Sequence, residues 1–475
     1  MQSVQKTNNT TAFAFVVSVF FFWGFVSASN DILIPVFKKS LGLQNWQSQL
    51  INFGFYMAYT IGAIIYQAHA YWSKKDIIGR IGYEKSISLG LLISALGTLL
   101  FIPAAEYNSF GLMIFGLFVV GLGFSLQQTA ANPFAIALGD PSKGSQRLSL
   151  AGGINNIGGI IGPLLITFAF VGVLATDQEK VSSIDDVKVP YLILGVAFFV
   201  AALIFFFLGK KNKTIPGLKQ EINKEETTKE DNPLFSYPQL FFGMFAIFFY
   251  VGVEVATAGH IGSYMEEEVK GFENIEIAPY ISLYWASIMI GRWVSAAAVI
   301  AKTEQMRLLF KVILPYGAFG LFLGVTFIAG YDVKPFLGYV FVIPLVIIAD
   351  ILSKEDPAKQ LLLFSILGAL ALIIGMSTNG NISLFAFLSV GLFCSTLWPC
   401  IYTLATKNLG DQTAKGSSWL IMMIMGGAIL SLLQGFLADL PSVGLRWSFI
   451  VGVACFAYLI FYALKMKSYF KFLVK

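Results

Sequence analysis

Charge is what this chain has least of. Asp, Glu, Lys and Arg together make up 12% of its 475 residues, where a soluble domain carries about a quarter. A water-soluble globule is excluded by that shortage. Cysteine is scarce too: Cys394, Cys400 and Cys455 each sit inside an apolar run, with no metal-ligand spacing and no disulfide framework. Only two histidines are present, His69 and His260, and they form no cluster with the cysteines. There is no Gly-Lys-Ser/Thr loop to cradle a nucleotide, and no nucleophile stands beside a plausible base. The chain is therefore not read as an enzyme, no cofactor is expected, and any work it does draws on a gradient rather than on ATP. Nucleic acid is excluded as a partner, because no basic stripe is interleaved with aromatics.

What is present is apolar sequence, 56% of the chain. A helix needs about 20 apolar residues to cross the hydrocarbon core. Such runs fall near residues 12–37, 47–72, 85–105, 109–138, 147–174 and 189–209. After a charged segment they resume near 238–265, 277–301, 308–330, 335–352, 360–378, 382–405, 417–438 and 446–465. That is about fourteen spans of an all-α integral membrane protein. The first run continues through NDILIPVF. It is too long for a cleaved signal and reads as a retained first helix.

One phrase is written twice: LGDPSKGSQRL from Leu138 and LGDQTAKGSSWL from Leu409. Each copy follows an apolar run with an internal proline, Pro133 or Pro399, and each precedes a glycine-rich apolar run. Two homologous halves related by an axis along the membrane normal would write this pattern. The expected organisation is an N-terminal six-helix bundle at 1–209, a solvated linker at 210–237, and a C-terminal bundle at 238–475. The second bundle carries an inserted helix pair at about 303–353.

Cytoplasmic loops carry an excess of Lys and Arg. With both termini cytoplasmic, most of the 32 Lys and Arg fall on that side, including Lys74, Lys75, Arg80, Lys143, Arg147, Lys210, Lys211, Arg307, Lys407 and Lys415. Lys38, Lys39, Lys180, Lys188, Lys270, Lys334 and Arg446 fall on the other, and Arg292 lies within a span. Both LGD phrases then face the cytoplasm, as a parallel repeat requires.

Two carboxylates sit well inside apolar runs, Asp31 and Glu254. A charged group at mid-bilayer costs roughly 2.5–3.5 kcal/mol, so it usually faces a wet cavity or a partner. A substrate or ion-coupling site is one reading of the pair; a buried structural hydrogen bond is the other. Neutral polar groups surround them: Asn30, Asn52, Gln127, Gln128, Asn132, Asn155, Asn156 and Gln434. Amides donate and accept, which matches the alternating hydroxyls of a sugar, although membrane bundles also use amides between helices. Trp23, Tyr284, Trp285, Trp398 and Trp419 offer flat faces for a sugar ring. His260 and His69 read as packing residues. The glycine pairs Gly152-Gly153, Gly158-Gly159 and Gly426-Gly427 let helix backbones approach.

These residues resemble a known family. FFFWGF with NDILIP, GRIGYEK, LFIPAAE, QTAANPF, the LGD segment with INNIGGIIG, FFYVGVE, and KNLGDQTAKGSS with GGAI are similar to the major facilitator superfamily. Within it they resemble the fucose–proton symporter family and its glucose/galactose transporter branch. The resemblance implies two six-helix bundles, alternating access and a sugar site between the halves. It places the aspartate of the NDIL motif on Asp31 and a sugar-contacting asparagine on Asn155. The family's membrane glutamate becomes Gln128 here, and an amide carries no proton. Coupling would then fall to Asp31 or Glu254, with H+ or Na+ as the ion. A family glutamine becomes Gly152, which implies a pocket unlike that for fucose. The residues assigned to substrate are Asp31, Gln127, Gln128, Asn155, Glu254, Trp285 and Trp398. The function so implied is import of a neutral, glucose/galactose-like hexose by a protein acting as a monomer in the bacterial inner membrane. An N-acetylhexosamine or fucose permease, a sugar exporter and a non-transporting sensor stay open.

Overall fold

The computed structural model describes residues 2–73, 77–138, 144–171, 188–211, 236–269, 274–301, 303–409 and 413–473. Residues 139–143 and 410–412 of the two LGD phrases and most of the linker lie outside them. Among the described residues every regular element is helical. In lipid each backbone N–H and C=O must be satisfied within the segment, and a helix does so without neighbours.

The long helices of the first half are α1 (Gln2–Leu41), α2 (Leu50–Ser73), α3 (Tyr83–Glu106, with a break at Leu100), α4 (Phe110–Ala137), α5 (Gly144–Val171) and α6 (Lys188–Lys211). The second half begins with α7 (Pro238–Glu268), α8 (Asn274–Ile300), α9 (Glu304–Ile328) and α10 (Lys334–Ser353, entered through a 3₁₀ turn). It ends with α11 (Pro357–Ser377), α12 (Gly380–Thr406), α13 (Thr413–Met422, then Gly426–Ala438) and α14 (Ile450–Leu473). Starts follow local chemistry. Ser109, Thr303 and Asp356 accept hydrogen bonds from the first turns of α4, α9 and α11, and Pro238 opens α7.

Eleven helices among the described residues are long and apolar enough to cross a membrane, and α2 adds a shorter apolar stretch, Leu50–Tyr66. α5 and α8 stand outside that set. The expected figure of about fourteen crossings thus matches the helices as elements and exceeds the number that qualify on length and apolarity alone. α5 and α8 are also the helices that bring Asn155, Asn156 and Arg292 into the interior.

Packing is written twice, like the sequence. In the first half α1 lies on α5, α3 on α4, and α3 on α6. In the second, α7 lies on α13, α11 on α12, and α11 on α14. The correspondence holds when α9 and α10 are set aside. Across the halves, α5 packs on α8, α2 on α13, and α1 on α7.

Glycines set these approaches. A Cβ on Gly24 of α1 would collide with the backbone oxygen of Asn155 on α5, and one on Gly158 with that of Phe21. Gly426 meets the carbonyl of Phe248 in the same way at the α7–α13 contact. Gly152 and Gly153 differ: they face the side chains of Arg292 and Trp293 rather than a backbone.

A buried ion pair joins α9 to α10, and hydrogen bonds to its carboxylate fasten the pair to the second half. Lys311 Nζ lies 2.6 Å from Asp350 Oδ2. Asp350 Oδ1 accepts from Ser295 of α8 at 2.7 Å and from Gln360 of α11 at 2.8 Å.

Candidate functional site

The two mid-span carboxylates come from different halves and lie within electrostatic range of each other. Asp31 lies in the last third of α1 and is 2% exposed. Trp285 of α8 donates its indole N–H to Asp31 Oδ2 at 2.9 Å, so the bond crosses from one half to the other. Trp285 can reach because Gly159 of α5 lies beneath it; a Cβ there would stand 3.3 Å from the Trp285 Cβ. One turn before Asp31 on α1, the Ser27 hydroxyl meets the Tyr56 hydroxyl of α2 at 2.5 Å. Tyr56 is itself within electrostatic range of Asp31.

Glu254 sits in the middle of α7. Its backbone carbonyl accepts from the Tyr284 hydroxyl at 2.8 Å. Its carboxylate shares a hydrogen bond with Tyr250 and feels the charges of Arg292 and Asp31. Trp398 of α12 stands 6.2 Å from the Tyr250 ring, centroid to centroid. Asp31, Trp285, Glu254 and Trp398 therefore form a connected set with the phenols of Tyr56, Tyr250 and Tyr284.

The amides are placed differently. Gln128 donates to the Tyr59 hydroxyl at 3.3 Å, and Tyr59 stacks beside Tyr56 with centroids 6.3 Å apart. Gln128 thus borders the same set. Asn155 donates to the Phe20 carbonyl of α1 at 3.0 Å and is only partly buried. Gln127 is fully buried. It accepts from Trp23 Nε1 at 3.0 Å and donates to Ser94 Oγ at 3.0 Å. Both its amide atoms already hold α1, α3 and α4 together. Asn30, next to Asp31, is fully buried with neither amide atom partnered. Asn52 is likewise buried, and its oxygen has no partner. His260 packs as expected, with Nδ1 against the Ala256 carbonyl at 2.8 Å and its ring near Phe449.

Arg292 and the tyrosines are the residues that sequence reasoning underweighted. Arg292 reaches from α8 to the Gly152 carbonyl at 3.3 Å and to Asn156 Oδ1 at 3.2 Å on α5, and to the Ser395 carbonyl at 3.2 Å on α12. Its signal was a guanidinium in mid-span, which needs a partner. Tyr56, Tyr59 and Tyr250 gave the signal of a phenol in an apolar run, where the hydroxyl must find a hydrogen bond. Among the described residues no group of three or more His, Cys, Asp or Glu is arranged to hold a metal ion.

Chemically, the set offers what a neutral polyhydroxylated ligand needs. Carboxylate oxygens accept, phenols and amides do both, and indole faces pack against C–H surface. It also offers two carboxylates, from different halves, in a low-dielectric interior where a bound proton changes every neighbouring interaction.

Comparison with known proteins follows the same line. Residues 11–349 match the family model of the Major Facilitator Superfamily. The chain is 31% identical over 466 residues to a protein of Brucella abortus named glucose/galactose transporter, covering 98% of this chain and 96% of that one. It is 26% identical to the L-fucose-proton symporter of Escherichia coli, covering 97% and 94%. Among solved structures it resembles the transporter FucP in an outward conformation, with TM-score 0.63, 25% identity, and coverage of 97% of this chain and 99% of that one.

Proposed function

The chain belongs to the Major Facilitator Superfamily, and from that premise we propose that it imports a neutral hexose of the glucose/galactose type by proton-coupled symport. It is a multi-pass membrane protein and a transporter rather than an enzyme. The observation that carries the proposal is the hydrogen bond from Trp285 to Asp31. It joins a titratable group of one half to an aromatic face of the other, where a ligand between the halves would lie. The relatives' names supply the sugar class and, through the fucose symporter, the proton. The amide-rich, charge-poor surroundings fit a neutral ligand.

In this reading the halves are bundles at 1–209 and 238–475, joined by the linker at 210–237, with the pair at 303–353 riding on the second. The repeated packing supports that division. The placement of Lys and Arg supports cytoplasmic termini in a bacterial inner membrane. Asp31 and Glu254 bind the proton. Trp285 and Trp398 pack against the sugar, and Gln128 and Asn155 bind hydroxyls from the first half. Gln127 serves by holding Trp23 and α3 in place. Coupling requires that the proton favour the same state that the sugar favours; a proton indifferent to the two states would drive nothing.

The test is uptake of labelled glucose by the purified protein in liposomes, under an imposed proton gradient and, separately, a sodium gradient. Galactose, fucose and N-acetylglucosamine serve as competitors. Accumulation driven by protons and blocked by galactose is expected. Uptake driven by sodium alone moves the coupling ion, competition by fucose or N-acetylglucosamine alone moves the substrate, and uptake blind to both gradients removes symport.

A further inference from the structure

Buried amides gather between Asp31 and the end of the molecule where α1 passes into α2. The Ser27–Tyr56 hydroxyl contact fixes a common level on the two helices. Asn30 follows Ser27 by three residues on α1, and Asn52 precedes Tyr56 by four on α2. Such offsets keep one helix face, so both amides lie one turn beyond that contact. Gln49 stands one turn further along α2. Asn52 Nδ2 donates to Gln49 Oε1 at 3.3 Å, and Gln49 Nε2 donates to the Gly259 carbonyl of α7 at 3.0 Å. The second of these bonds crosses between the halves. Gly259 makes the room: a Cβ there would stand 2.7 Å from Asn52 Nδ2 and 3.0 Å from Gln49 Oε1. It would also stand 3.3 Å from Ile34 Cδ1, one turn along α1 from Asn30.

α13 reaches the same level from the second half. A Cβ on Gly427 would stand 3.3 Å from Tyr56 Cγ. Gln434 follows Gly427 by seven residues, two turns along the same face, and the next residue, Gly435, abuts the Trp46 backbone. Ser263, four residues after Gly259, keeps the Gly259 side of α7. Asn30, Gln49, Asn52, Ser263 and Gln434 are each 1% exposed or less. Yet both amide atoms of Asn30, Asn52 Oδ1, Ser263 Oγ and Gln434 Nε2 have no hydrogen-bond partner among the described residues. Buried polar atoms are nearly always partnered, because an unmade bond leaves the cost of desolvation standing. Gln127, with both amide atoms bonded to neighbouring helices, shows how a purely structural amide is satisfied here. The unpartnered set therefore points to a ligand. It holds donors and acceptors and no charged side chain, which suits hydroxyls rather than an ion.

We propose that Asn30, Asn52, Ser263 and Gln434 form a second subsite for the hydroxyls of a neutral hexose, separate from the Asp31–Trp285 pair and displaced from it toward the α1–α2 connection. Gln49 positions Asn52. The inference rests on the hexose reading for its ligand. In that reading this end faces outward, and the subsite receives the sugar before it reaches Asp31 and Trp285. Here the end is closed over it: Asp439 of α13 accepts from the backbone N–H groups of Asn45 and Trp46 at 2.9 Å each. Parting the halves at that end breaks the Gln49–Gly259 bond and turns the amides to the incoming sugar.

The experiment is photolabelling of the full chain in liposomes with a diazirine-bearing glucose, mapped by peptide mass spectrometry. Two regions are scored: the subsite segments around Gln49–Asn52 and Gln434, and the central segment around Trp285. Wild type should be labelled in both, and excess glucose should remove both labels. Asn52→Leu and Gln434→Leu keep the bulk and lose the hydrogen bonds. Each should cut the subsite label roughly fivefold and leave the central label in place, which also shows that the variant is folded. Gln434→Leu should in addition melt no lower than wild type in detergent without sugar, since its amide nitrogen has no bond to lose. Should either leucine variant fail to fold, Ser263→Ala carries the test with the same expectation. Wild-type label confined to the central segment, or subsite label undiminished in the folded variants, overturns the subsite and leaves the hexose reading standing. Wild type without glucose-displaceable label in either region overturns the hexose reading and the subsite with it.

Discussion

Asp31 is where the chemistry of single residues meets the division of the molecule. Its oxygen accepts from Trp285 across the seam, so any motion that parts the halves must break or move that bond. A hydrogen bond to a charged acceptor is worth about 1.5–3 kcal/mol. Trp285→Phe keeps the ring and removes the donor, and should raise the half-saturating glucose concentration roughly tenfold. Unchanged half-saturation would show that the contact lies outside the working cycle. Asp31, Glu254 and Trp285 were legible in the sequence because a carboxylate or an indole in an apolar run is conspicuous by its transfer cost. Gln127 and Asn155 were less so. An amide reads the same whether it meets a ligand or another helix, and only the structure shows Trp23, Ser94 and the Phe20 carbonyl as partners. Arg292 was legible as a charge, but its reach across to α5 is a tertiary fact.

At the scale of elements, the helices come from apolar runs, and their spacing comes from glycine. The α1–α5 crossing positions both Asp31 and Asn155, and Gly24 sits at its tightest point. Gly24→Ala forces the two backbones apart, because a carbonyl oxygen cannot rotate away as a side chain can. Overpacking of this kind costs about 1–3 kcal/mol and should lower the melting temperature in detergent. Gly111→Ala on α4, where a Cβ meets nothing within 4 Å, is the matched control and should melt like wild type. Equal melting of the two would mean that this crossing is looser than the structure has it. The doubled LGD phrase and the glycine pairs disclosed that two halves exist. They did not disclose that Gly152 and Gly153 accommodate side chains rather than a backbone. Periodicity carries no record of which helix lies opposite.

At the scale of the molecule, the halves are also clasped at the end where α1 passes into α2. Asp439 accepts from the backbone N–H groups of Asn45 and Trp46 at 2.9 Å each, and Trp46 stacks on Phe436 with centroids 5.0 Å apart. Lys38 pairs with Glu267 nearby. Alternating access demands that these contacts part once per cycle. A short cleavable thiol reagent joining Trp46→Cys to Phe436→Cys, on a background lacking the three native cysteines, should therefore stop uptake, and cleavage should restore it. Transport that continues through the cross-link would place the moving seam elsewhere.

The central claim is that a proton on the Asp31 side chain, between the halves, drives sugar accumulation. Asp31→Asn tests it most directly, because an amide keeps the shape and an acceptor for Trp285 but cannot take up and release the proton. Paired assays in liposomes would follow glucose accumulation under an imposed proton gradient and glucose counterflow without one. Lost accumulation with surviving counterflow is the predicted result. Accumulation at the wild-type level would contradict it.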